Sequence, residues 1–354
     1  MMSDARIHLK IADFILELIV PTKVSFVLDG GFEGYVTVLS AQCSVQETEA
    51  ETEAEAEAET ETETEAETEA ETETERSTSS SRSLSRSRSL SRSHSLSRSL
   101  SSATADLRIY CQVGCEHAPR IWGKELYSAK NGEVALWRIF DSPDGICIHV
   151  NDSEELSRLQ HIAFYDAKQQ TWTIYSDVNA NGDLESLRYP MMPLILYYLS
   201  TEHQALLIHA SGVFDGTHGR LFSGFSGVGK STMAGLWQAS GAEVINDDRL
   251  MLRKLDGRWW MFNTPMYYTD VPKKAPLDFI YLPFHHPENT YERGNGIQMS
   301  MRFMAHCIQH GYNEKHVQWH LDQVMDISNN IPITRLGVVP TMDVLTFIKE
   351  HESA

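Results

Sequence analysis

The chain has 354 residues, 42% of them hydrophobic, and a formal net charge of −19, a size and balance that allow two globular domains with a sizeable core. The 15 Glu and six Arg between Glu47 and Arg98 carry −9 of that charge and leave −10 for the rest. That remainder is moderately acidic and has no basic face, which excludes general binding along nucleic-acid backbones.

Residues 6 to 40 contain RIHLKIADFILELIV, VSFVLDG and GYVTVLS, short β-branched and aromatic runs separated by Pro21, Gly30 and Gly31 that read as a strand meander. Ile11 to Val20 also fits a single helical segment. From 47 to 75 every odd position is Glu, and 77 to 102 are mostly Ser with Arg and Leu. Neither half offers an apolar stripe at any period, so 46–102 is expected to be a disordered insertion. Its ends are expected to meet as the tips of a β-hairpin.

From Leu107 to Ile174 the runs LRIYCQV, EVALWRIF, GICIHV, HIAFYD and TWTIYS recur about every ten residues, a spacing that predicts an antiparallel sheet. His149 and His161 alternate with apolar residues there and read as sheet-face residues. Cys111 and Cys115 are spaced CxxxC near His117, with no second pair to complete a zinc site, and read as reduced thiols. Five scattered cysteines suit a reducing cytoplasm. ESLRYPMMPLILYYLSTEH predicts a helix that is apolar nearly all round, with Tyr189 and Met192 in packing roles. Its apolar run, Met191 to Leu199, is too short to span a membrane. Asp13 and Glu17 break the N-terminal run, so no signal peptide is expected.

The chemistry is concentrated in residues 206 to 252. Gly224 to Ser231 spell GFSGVGKS, which fits GxxxxGK[ST], a loop whose backbone N–H groups cradle phosphates at a helix N-terminus. Arg220 to Phe222 read as the end of a buried strand. Met233, Leu236 and Trp237 have helical spacing after the loop, so strand, loop and helix fall in the order the motif needs. Gly224, Gly227 and Gly229 admit positive φ and close approach of backbone to ligand, with Ser226 and Val228 between them. Lys230 supplies a point charge for the β and γ phosphates, Ser231 a hydroxyl for Mg²⁺, and Thr232 continues the motif into the helix. Asp247 and Asp248 end the apolar run Ala242 to Ile245, where an α/β sheet places metal ligands and bases. His209, in IHASGV, lies on the strand before the P-loop strand.

This combination, IHASGV, then GFSGVGKST, then INDDR at a short distance, resembles the catalytic domain of HPr kinase/phosphorylase. It is also similar to the kinase-like proteins, related in fold to phosphoenolpyruvate carboxykinase, that are found beside peptide-modification genes. The resemblance covers roughly residues 186 to 340. It implies that Lys230 and Ser231 bind ATP and Mg²⁺, that Asp247 is the catalytic acid/base, that Asp248 positions metal or substrate, and that His209 orients the carboxylates. The chain departs from the family in lacking a second acidic, glycine-rich signature beyond the aspartates, which puts HPr itself in doubt as the substrate.

Beyond Arg249, DGRWWMFNTPMYY predicts a hairpin and PLDFIYLPFHH a buried strand. His285 and His286 are adjacent strand residues that face opposite ways, so they do not share a metal. Residues 297 to 326 are expected to be helical, with His306 and His310 on one face. Arg293 and Arg302 are the arginines suited by type to meet a transferred phosphate. IPITRLGVV predicts a last strand, and Met342 to Lys349 a terminal helix.

The expected architecture is α/β: a P-loop HPr kinase/carboxykinase-like core at 186–354 behind a β-rich domain at 1–185 that 46–102 interrupts. The expected function is an ATP-dependent phosphotransferase acting on a Ser or Thr hydroxyl of a small protein or peptide. A nucleotide hydrolase, a carboxykinase-like enzyme acting on a metabolite, and a non-catalytic nucleotide-binding scaffold are the alternatives. A cytoplasmic location is expected, with no nucleic-acid or membrane partner, and a homo-oligomer stays open.

Overall fold

A computed structural model describes residues 4–38, 43–45, 105–132, 134–151, 160–266, 268, 270–292 and 296–352. The repeat block at 46–102 and Arg293 lie outside them. Ala5–Ile11 and Phe14–Val20 pair as a hairpin. Alternate burial of Ile7, Leu9 and Ile11 makes the first strand's inner face. The turn residues Ala12 and Asp13 take positive φ, 50° and 62°, the twist that a two-residue hairpin loop needs. The helical alternative for Ile11 to Val20 is thereby replaced by strand.

This hairpin is part of a nine-stranded sheet. Across it the order is Val36–Val38, Ala5–Ile11, Phe14–Val20, Leu107–Val113, Thr171–Ser176, His161–Asp166, Gly145–Val150, Val134–Ser142 and Glu125–Asn131. The sheet is mixed rather than antiparallel, because Leu107–Val113 runs parallel to both neighbours. Parallel neighbours need long connections, and the chain on either side of this strand supplies them. Glu125–Asn131 is a strand that the apolar pattern does not announce. It is a largely half-exposed, polar edge strand, so its sequence carries little periodicity. Cys43–Val45 pairs with Ser25–Leu28 in a separate small sheet, so the strands flanking the repeat block do not form a hairpin with each other.

The helix Met191–Glu202 buries ten of its 12 residues. The eight apolar ones share one core with Ile7, Leu9, Leu18, Ile109 and Ile174 of the first sheet and with Leu207, Met251 and Phe262 of the second. Leu194, Ile195, Leu196 and Leu199 each contribute about 1.5–3 kcal/mol by this burial.

The second sheet runs in the order Lys274–Pro276, Arg258–Asn263, Arg249–Leu255, Ala205–Phe214, Gly219–Ser223, Phe279–His285, Ile333–Val338 and Thr290–Glu292. Ala205–Phe214 is its pivot. Residues 205–209 pair with 249–253, and 212–214 pair with the strand Glu243–Asn246. The break between those partners falls at Asp247 and Asp248, which sets both carboxylates beside the middle of the sheet. Gly219–Ser223, Phe279–His285 and Ile333–Val338 are mutually parallel. Buried Arg220 anchors the terminal helix Asp343–Glu352: its guanidinium donates to Glu352 and Asp215 and stacks on Trp237 at 4.2 Å.

The helix expected over 297 to 326 is two helices, Gly296–Met304 and Glu314–Asn330. Between them the chain leaves helical geometry to bridge the pivot strand, with Ile308 N–H donating to Leu207 O at 2.9 Å. Asn313 then caps the second helix by accepting from Lys315 N–H at 3.1 Å.

Candidate functional site

Gly219–Ser223 is buried throughout and delivers the chain to the loop Gly224–Gly229. Gly227 and Gly229 have φ of 77° and 102°, values that side chains other than glycine rarely tolerate. Gly224 does not share them. A Cβ there would instead meet Val228 Cγ2 at 2.7 Å, so this glycine serves close packing within the loop. Lys230 opens the helix Lys230–Ala239 and folds back, donating from Nζ to Gly224 O at 2.8 Å and Phe225 O at 3.1 Å. Ser226, Gly227, Ser231 and Thr232 are exposed while Gly224 and Lys230 are buried, so the loop presents an open cradle with its cation held beneath. His285 braces it, donating from Nε2 to Gly227 O at 3.0 Å.

The two aspartates are fixed through Asn246. Its Oδ1 accepts from Asp248 N–H at 2.8 Å and Arg249 N–H at 3.2 Å, and Asp248 O accepts from Ala210 N–H at 2.9 Å. Alternate residues of the pivot strand then supply a partner to each carboxylate. Ser211 donates to Asp247 Oδ1, and the Ser231 hydroxyl is near enough to favour the charged form of Asp247. His209 Nδ1 lies 3.1 Å from Asp248 Oδ1.

These surroundings drive the pair apart electrically. Burial, reinforced by the charge of Asp248, raises the Asp247 pKa against the opposing pull of the Ser211 and Ser231 hydroxyls and Lys230. Burial also acts to raise Asp248, but the His209 hydrogen bond and the charges of Arg249, His209 and Lys230 outweigh it, and its pKa is lowered.

The sequence-predicted residues Lys230, Ser231, Asp247, Asp248 and His209 thus converge. Arg302 does not join them. It is exposed on Gly296–Met304 and makes no ion pair among the described residues. His306 does belong beside the site, although its expected helical pairing with His310 is wrong because the helix stops at Met304. Its carbonyl accepts from His209 N–H at 3.3 Å and its ring meets Phe225 of the loop edge-on at 4.8 Å. Burial, with the charges of Lys230 and His209, pushes its pKa down to about 4. Gly311 and the cap residue Asn313 are the sequence signals for the break that puts it there.

Among the described residues no three His, Cys, Asp or Glu side chains gather as a protein-only metal site. Ser231, Asp247 and Asp248 are nevertheless hard oxygen donors of the kind that hold Mg²⁺ through one or two carboxylates, water and phosphate. No helix of the described residues is long and apolar enough to cross a membrane.

No protein-family model matches the chain, and no curated protein does. Among solved structures it is similar to the HPr(Ser) kinase/phosphatase from Coxiella burnetii at 10% identity and a TM-score of 0.26, over 41% of this chain and 95% of that one. At that score no role is transferred from the similarity.

Proposed function

We propose that this protein is an ATP-dependent phosphotransferase that modifies a Ser or Thr hydroxyl of a small protein or peptide. In this reading 186–354 is the catalytic part, and 1–185, interrupted by 46–102, is a structural or recognition platform. The observation that carries it is the convergence, beside the P-loop lysine and serine, of two adjacent half-buried carboxylates: Asp247, held by Ser211 and raised in pKa, and Asp248, held by His209. Two carboxylates with opposite shifts divide into acid/base and electrostatic roles. Asp247 accepts the proton of the attacking hydroxyl. Asp248 stays ionised on the metal side, and His209 orients it. Gly224 to Thr232 hold the nucleotide phosphates, and Lys230 turns from the loop carbonyls to their charge. Mg²⁺ would supply neutralisation of charge on the transferred group.

Incubation with γ-³²P-ATP and Ser/Thr peptides tests this. Label should pass to peptide in the wild type, and Lys230→Ala should lose MgATP binding by calorimetry. Label released only as inorganic phosphate would make the protein a hydrolase, and unchanged MgATP affinity in Lys230→Ala would remove the P-loop from the reading.

A further inference from the structure

A cavity of about 370 Å³ is lined by the strand Glu243–Asn246 and by Asp247. Gln238 of the P-loop helix, Asp270 and Lys273 also line it. Three properties of its walls bear on an occupant. The strand pairs with residues 212–214 on one side, and its other edge has no strand neighbour among the described residues. Among the described residues its outward backbone groups therefore have no ladder partner, the condition under which an extended segment can add alongside.

Asn246 is 2% exposed, and its Nδ2, a buried donor, has no partner among the described residues. Leaving such a donor unmet costs about 1–3 kcal/mol, so the Asn246 side chain has reason to turn toward a carbonyl brought into the cavity. The charge is the third property. Lys273 is already neutralised by Asp270 at 2.9 Å, whereas Glu243 is exposed and has no ion pair among the described residues. With Asp247 also in its wall, the cavity is anionic.

We propose that this cavity is the acceptor subsite and takes an extended peptide segment whose Ser or Thr is flanked by Lys or Arg. The segment lies along the unpaired edge of Glu243–Asn246, the basic side chain meets Glu243, and the hydroxyl arrives at Asp247. Its fate there rests on the phosphotransferase reading. The hydroxyl proton passes to Asp247, the hydroxyl oxygen bonds to the γ-phosphorus of ATP, and the bond from that phosphorus to the ADP oxygen breaks.

The test uses two labelled Ser peptides that differ only in having Lys or Glu beside the Ser, with wild type and Glu243→Arg. Binding is read by fluorescence anisotropy and transfer by ³²P, at about 0.15 M salt so that remote charges are screened. The Lys peptide should bind wild type about fivefold or more tightly than the Glu peptide. Glu243→Arg should erase or invert that preference with MgATP affinity unchanged. Equal binding of both peptides to wild type, or an unaltered preference in Glu243→Arg, overturns the subsite. Preferential binding of the Lys peptide without label transfer to either would leave the subsite standing and sink the phosphotransferase reading. Transfer with no preference for charge would do the reverse.

Discussion

Asp247 and Asp248 are neighbours in sequence with opposite environments, so conservative changes at the two should have different signatures. Asp247→Asn keeps an oxygen to accept from Ser211 but cannot take a proton. Phosphoryl transfer should fall by roughly 10²- to 10⁴-fold, the usual worth of a general base, while MgATP affinity stays within about tenfold. Asp248→Asn removes the charge facing His209 and should register mainly as a raised Mg²⁺ requirement. Kinetics that reversed the two would exchange their roles, and full activity in both would end the kinase reading. The raised Asp247 pKa also sets a sign for pH. A general base works when deprotonated, so under the proposed role of Asp247 wild-type kcat/KM should drop as pH falls through that pKa, with an acid limb above the ordinary carboxylate value of about 4. A limb at or below that value would show that some other group limits the rate.

The strand, loop and helix around Gly224–Gly229 are legible in the sequence because local chemistry decides them. Gly227 and Gly229 are where the backbone takes positive φ, and the apolar spacing of Met233 and Trp237 faces the core. Gly229→Ala should therefore cost roughly 1 kcal/mol or more in strain, lowering Tm by about 2–4 °C. Gly235 lies mid-helix, and a methyl group at its Cα would meet nothing within 4 Å, so Ala should be tolerated there with a small gain. Scanning calorimetry of the two variants checks the contrast, and equal shifts would contradict the φ argument. What stays hidden depends on partners far along the chain. The pairing of Leu207 with Ile308 breaks a helix that its own apolar pattern would continue. Leu107–Val113 runs parallel to its neighbours because of what lies on either side. INDDR is plain in the sequence, but the turn in which Asn246 locks Asp248 and Arg249 is visible only in three dimensions.

At the scale of the molecule, the apolar core that runs from the first sheet through Met191–Glu202 to the second contains buried histidines, and they predict how stability responds to acid. His310 stacks on Tyr127 at 5.4 Å, packs on Tyr197 at 4.0 Å and shares a hydrogen bond of 3.3 Å between its Nδ1 and the Tyr198 hydroxyl. It thus joins the first sheet, the central helix and the segment leading into Glu314–Asn330. Burial, reinforced by His316 and His320, pushes its pKa down to about 3. His161, fully buried against Ser176, is pushed down to about 4 by burial, and the charge of Arg188 adds to that. A base whose folded pKa is depressed binds fewer protons folded than unfolded, so its contribution is intact above the unfolded value of about 6.5 and shrinks as pH falls below it. Each of the two should lose roughly 2 kcal/mol of stability between pH 6.5 and 5, out of a total on the order of 5–15 kcal/mol. The carboxylates with lowered pKa, among them Asp215 and Asp326, also destabilise on acidification, but only nearer pH 4 and below, so the window above pH 5 belongs to histidine. Urea unfolding at pH 7.5 and pH 5 should show a wild-type loss of several kcal/mol. His310→Phe should lose roughly 2 kcal/mol less, whatever its stability at pH 7.5. An equal pH-dependent loss in the variant would show that His310 is not among the groups that take up the proton.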